Sequence, residues 1–202
     1  MSSIQHERWP SRRLEFGYLE ELHDLNQLFL MELKRRAEAG QDCFGLPRTV
    51  HLSLREATPG MLDRAAEFPC ALFRLSIGGD GREGALRDAD NAAGWALASL
   101  KLTVLHRVWN YCRTKRYVVR AHFGLADRDV EALQHTPLVD LLELFRRSTI
   151  VANAFDDAGR FWRELIEQAN AKSRRHLVLV GLQPTTETQH STRAIKSRAH
   201  SR

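Results

Sequence analysis

Residues 117–148 read YVVRAHFGLADRDVEALQHTPLVDLLELFRRS, and the punctuation of this stretch decides the fold. Tyr117, Val118, Ala121 and His122 close one helix, and Gly124 breaks it, because glycine alone enters a left-handed corner cheaply. Asp127 is placed to cap a short helix that carries Val130 and Leu133 inward. Thr136-Pro137 then opens a third helix: threonine accepts orphan amide bonds, and proline at the first turn lacks only an N–H that has no partner there. Leu138, Leu141, Leu142 and Phe145 follow at helical spacing. A helix, a glycine corner and a second short helix form the outline of a helix-turn-helix.

The outline occurs twice. Phe44-Gly45-Leu46 is followed by Pro47 to Ala57, then Thr58-Pro59, then Met61 to Phe68. Phe44 and Phe123 lie 79 positions apart, and Thr58 and Thr136 lie 78 apart. Two punctuated motifs at nearly one period indicate a tandem duplication. Each copy starts with a long amphipathic helix. Leu14 to Glu38 keeps Leu14, Tyr18, Leu22, Leu25, Leu28, Phe29 and Leu33 on one stripe. Ala92 to His122 buries Leu97, Leu100, Leu102, Val104, Leu105, Val108 and Trp109. Each copy ends in a short extended segment, Ala71–Ile77 in the first and Ile150–Phe155 in the second. Gly78-Gly79-Asp80-Gly81 separates the copies, and a last helix, Ala158 to Ala171, carries Phe161, Trp162, Leu165 and Ile166 on one face. The expected organisation is therefore a first helical repeat over 14–77, a Gly/charged linker over 78–91, a second repeat over 92–171, and a basic, mostly disordered tail over 172–202. The expected class is all-α.

Composition narrows the function. Hydrophobic residues make up 43% of the 202, enough for a packed core. No apolar run is long enough to cross a membrane, and the polar start MSSIQHERWPSRR is unlike a secretory signal. Cys43, Cys70 and Cys112 are odd in number and widely spaced, which suggests neither a zinc site nor a disulfide framework and fits a reducing cytoplasm. From Lys172 to Arg202 there are seven Lys/Arg and one acidic residue, +6, whereas the other 171 residues carry 23 basic and 24 acidic, −1. The excess positive charge thus lies in the tail. No G-x-S-x-G, phosphate-binding loop, HExxH or Cys–His pairing appears, so neither catalysis nor a cofactor is expected.

The candidate contacts are with nucleic acid. The helix after Gly45 offers Arg48, Thr49, His51, Ser53 and Arg55 against Glu56 alone, residue types that suit base edges and phosphates. The helix after Gly124 offers Asp127, Asp129 and Glu131 against Arg128, and carboxylates are repelled by phosphates. Arg113, Lys115, Arg116 and Arg120 form a basic patch around Tyr111 and Tyr117. Arg174 and Arg175 head the tail, whose binding to phosphates would be independent of sequence and sensitive to salt. Trp95, Trp109 and Trp162 are expected in the core.

Asp24-Leu25-Asn26, Phe44-Gly45-Leu46, Thr58-Pro59 with Met61, Leu62 and Ala65, and Phe73-Arg74-Leu75 together resemble the FlhD family, a subunit of the bacterial flagellar master transcriptional activator. Ala121-His122-Phe123-Gly124-Leu125, Leu133, Pro137, Leu142 and Phe155 resemble it again. The resemblance covers about residues 20–77 and 100–157. It implies an all-helical entangled dimer that acts with a zinc-binding FlhC-like partner to recruit RNA polymerase to DNA at promoters. Family members carry one copy and dimerise, whereas two unequal copies here can pair within one chain as a pseudo-dimer, with homo-oligomers as a further expectation. The alternative expectation is a helical interaction adaptor without specific DNA binding, which the acidic second unit favours.

Overall fold

A computed structural model describes residues 13–77, 92–152, 155 and 159–167. They are mainly helical, with one small antiparallel ladder. The first segment holds α1 (Arg13–Glu38), α2 (Arg48–Glu56), α3 (Pro59–Ala66) and β1 (Phe73–Ser76). The second holds α4 (Ala92–Thr114), α5 (Arg116–Phe123), α6 (Asp127–His135), a 3-10 turn at Leu138–Asp140, α7 (Leu141–Arg147) and β2 (Thr149–Ala152). α8 (Arg160–Glu167) follows.

α1 is a helix because Leu22, Leu25, Phe29 and Leu33 recur on one face, and all four are buried. Leu28, expected on that stripe, is instead exposed on the opposite side. The helix ends at Gly40, whose φ is +68°. Gln41 N donates to Arg36 O at 2.9 Å and Gly40 N to Ala37 O at 3.2 Å, a Schellman closure. The chain then turns through Phe44 and Gly45, both at positive φ. The last turns of α1 hold this corner. Glu32 accepts Arg35 at 2.7 and 2.8 Å and Arg36 at 2.8 Å. Arg36 also donates to Asp42 O at 3.1 Å and lies 4.3 Å from the Phe44 ring centroid.

α3 starts as expected: Thr58 Oγ1 accepts from Met61 N at 3.3 Å, with Pro59 at the first position. The second segment differs. Thr136 closes α6 rather than opening the next helix, and its hydroxyl donates back to Ala132 O at 2.8 Å. The residue in Thr58's place is Pro137, so the correspondence runs at 79 positions here, not 78. Asp127 likewise does not cap; Ala126 is the N-cap, and Asp127 lies in the first turn.

The region expected as one helix from Ala92 to His122 breaks at Lys115, where φ is −144° and ψ 59°. Gly124 then makes the left-handed corner, at φ 62° and ψ 24°. Leu102 is exposed on α4, and Trp95 is 69% exposed, so neither joins the core; Trp109 is half-buried and only Trp162 is fully covered.

Element order, helix lengths and corner torsions recur at this spacing. α2 and α6 are both nine residues long, and Leu54 and Leu133 are both fully buried. The extended ends pair: Phe73 lies opposite Ala152, and Ser76 opposite Thr149. Phe73 and Leu75 point inward, Arg74 and Ser76 outward.

One core joins the described elements. Phe29 is its hub, with ring centroids 5.5 Å from Phe44, 5.5 Å from Phe73 and 6.4 Å from Trp162. Burying a side chain of this size contributes about 3 kcal/mol. Asn26, fully buried among apolar neighbours, is satisfied by backbone alone: Nδ2 reaches Ala66 O, Phe68 O and Cys70 O at 3.1–3.3 Å, and Oδ1 accepts Leu72 N at 3.0 Å. It ties α1 to the link between α3 and β1. Between the segments, Glu21 accepts both Tyr111 Oη and Arg107, the latter at 3.2 Å, and Ala71 N donates to His122 O at 2.7 Å.

Candidate nucleic-acid interface

α2 is positioned from two sides. Val50 and Leu54 seat it on the core, and Lys34 of α1 donates to Leu54 O at 3.4 Å and Arg55 O at 2.8 Å, closing two carbonyls of its last turn. α8 covers another face, where Ser53 Oγ donates to Glu167 at 2.8 Å. Ser53 is therefore a packing residue and is withdrawn from the nucleic-acid set. His51 is withdrawn too: its Nε2 lies 3.1 Å from Leu46 O, and the ring is half-buried.

What remains outward is Arg48, Thr49, Leu52, Arg55 and Glu56. Arg48 and Arg55 stand seven residues apart, two turns on one face, with exposed Leu52 between them. Neither arginine side chain has a carboxylate partner among the described residues. No acid lies in the first turn of α2, so the positive end of its dipole stays unopposed by its own side chains. Leu52 was legible in the sequence by its spacing between the two arginines.

The basic patch of the second segment divides. Arg113 is exposed and stacks on Trp109, 4.9 Å from the ring centroid. Trp109 is itself oriented by donating Nε1–H to Thr136 O at 2.9 Å. Lys115 is half-buried at the break between α4 and α5, 5.9 Å from the Tyr18 ring centroid. Arg116 and Arg120 converge on Asp127 at 3.9 and 3.1 Å, so part of the expected positive charge is neutralised by α6. The α2 face and the Arg113 face are carried by different segments. Arg174 and Arg175, with the whole run 168–202 and the apolar stretch 176–180, lie outside the described residues, as does the linker 78–91.

Among the described residues no group of three or more His, Cys, Asp or Glu side chains is arranged to hold a metal ion. The three cysteines are buried and free, and burial pushes the Cys43 and Cys112 thiols up to about 11, which keeps them protonated and unreactive. No described helix is long and apolar enough to cross a membrane. No family model, no curated protein and no solved structure matches this chain.

Proposed function

We propose that this chain is a bacterial transcriptional regulator of FlhD type, in which a tandem duplication supplies both halves of the dimer and a partner subunit completes promoter recognition at flagellar or related genes. The recurrence of helix, corner, nine-residue helix, short helix and strand, with the two strands paired antiparallel, supports the pseudo-dimer reading. The observation that carries the DNA assignment is the outer face of α2, where Arg48 and Arg55 stand two turns apart without carboxylate partners. Arginines so spaced reach successive phosphates or base edges of one groove wall.

The test uses the full chain, isolated with its partner from its native lysate and offered fragmented genomic DNA. The wild-type complex enriches discrete fragments, and Arg48→Ala with Arg55→Ala lowers that enrichment about tenfold, the loss of two good contacts. Enrichment unchanged by the double substitution removes α2 from the reading role.

A helical interaction adaptor without specific DNA binding is the second reading. It is favoured by Asp127, which draws Arg116 and Arg120 away from any phosphate. Deleting 172–202 separates the readings: the regulator keeps fragment-specific enrichment, and the adaptor loses all DNA affinity with the tail.

A further inference from the structure

Lys101 is 2% exposed, and its Nζ has no hydrogen-bond partner. The ammonium sits over the Phe145 ring, 4.5 Å from the centroid, at the packing of α4 on α7. A buried cation without an acceptor is costly. Seventy-nine positions earlier the chain has Leu22, equally buried, so an apolar residue serves the same place in the first segment.

The surface outside Lys101 is unusual in the same way. Leu142 is 59% exposed one turn before Phe145, and Leu138 and Val139 are exposed beside it. Trp95 and Leu102 are exposed two turns apart on α4. The matching positions in the first segment are polar and satisfy one another: His23 Nε2 lies 3.3 Å from Asp63 O, and Gln27 Nε2 donates to Asp63 Oδ1 at 3.2 Å. Asp63 corresponds to Leu142, and His23 to Leu102. One segment has thus closed this surface with hydrogen bonds, and the other leaves it apolar. Its rim is basic, with His106 and Arg113 along α4 and Arg146 one turn beyond Leu142.

A complement is present on the molecule itself. Glu20, Asp24, Leu28 and Met31 follow one stripe along the solvent side of α1, and all four are exposed. Arg35, next on that stripe, is already bound by Glu32. The stripe is therefore acidic with an apolar centre, which matches an apolar groove with a basic rim and an unpaired cation at its base.

We propose that the α4–α7 groove docks the solvent face of α1 from a second copy of this chain, so that copies associate head to tail. The two surfaces differ, so the contact is heterologous, and its size is limited only by whether the arrangement closes. The association is independent of DNA and goes beyond the regulator reading.

Sedimentation equilibrium of the full chain tests it. Mass rises above 23.1 kDa with concentration, half-associating at roughly micromolar levels, as expected of a modest interface. Leu142→Asp breaks only the groove and Met31→Lys breaks only the α1 face, so each variant alone stays at chain mass. Mixed in equal amounts they form a 1:1 complex and nothing larger, because one intact contact remains between them. Lys101→Met retains the fold and weakens association about tenfold, the loss of one charge-assisted contact. Both surface positions are exposed, so unchanged circular dichroism is expected; Val139→Asp replaces Leu142→Asp should helicity fall. A wild-type chain at monomer mass up to about 100 µM, association unaltered by either variant, or mixed variants that remain monomers would each overturn the proposal.

Discussion

Glu32 illustrates how a single side chain sets the geometry on which the candidate interface depends. It is nearly fully buried, and burial pushes its carboxyl up. The hydrogen bonds and charges of Arg35 and Arg36 outweigh that and hold it below the usual carboxylate range. Through Arg36 the same group braces Asp42 O and the Phe44 ring, two residues of the corner that delivers the chain to α2. A carboxylate lowered in the fold stabilises it fully above the unfolded value, near 4.5, and that contribution is lost as pH falls through the folded value. Glu32→Gln is therefore expected to cost about 2 kcal/mol at pH 7, less than a wholly buried pair because both arginines reach solvent. The cost should shrink toward zero below about pH 3, where the wild-type carboxyl is itself protonated. Urea denaturation of both proteins at the two pH values checks this, and a gap that is unchanged at low pH would mean that packing, not charge, is what Glu32 supplies.

At the scale of elements, α8 is the part that fixes which face of α2 meets solvent. Gly159, just before it, has φ +67°, and a Cβ there would lie 2.7 Å from Val50 Cγ2 and 3.1 Å from Pro47 Cγ. Both the backbone and the contact require glycine. Gly159→Ala is expected to lower stability by about 2–3 kcal/mol through strain and overpacking. It should also raise hydrogen exchange in α2 and α8 above that in α6, and uniform loss of protection across all helices would refute a local role. The helices, the two strands and the glycine corners were legible in the sequence, because periodicity and left-handed turns are written in residues close together in the chain. Three features were not. The break at Lys115 has neither glycine nor proline to mark it. Thr136 and Thr58 look alike in sequence, but one helix ends and the other begins at them, and only the direction of the hydroxyl bond separates the cases. The loss of His51 and Ser53 from the interface comes from a loop carbonyl and from α8, which lies over a hundred residues away in the case of Ser53. Spacing within α2 did mark the Arg48–Leu52–Arg55 face. Lys101 stands in the apolar run Leu100–Leu105, a position where a lysine on the inward face might have been noticed from periodicity alone.

The whole molecule behaves as one body, since its core runs across both segments without interruption among the described residues. β1 and β2 complete one another, so each segment alone would expose a strand edge and the faces of Phe73 and Phe123, whose rings lie 6.2 Å apart. α8 follows the second segment in sequence but packs on α2 and α3 of the first, where Phe161 lies 5.2 Å from Phe68 and Trp162 lies 6.4 Å from Phe29. A chain cut between the segments therefore separates α8 from the surface it covers. Neither 1–77 nor 92–202 is expected to fold alone, because each would leave a large part of a shared apolar core in water at about 25 cal/mol per Å². Mixed, the two pieces should regain helicity and a single cooperative thermal transition, as the intact chain should display. Circular dichroism of each piece and of the mixture decides the matter. Full helicity in either piece alone would mean that the segments are independent domains, and the pseudo-dimer reading would then lose its physical basis, because two copies that fold separately have no need of the shared ladder and core that join them here.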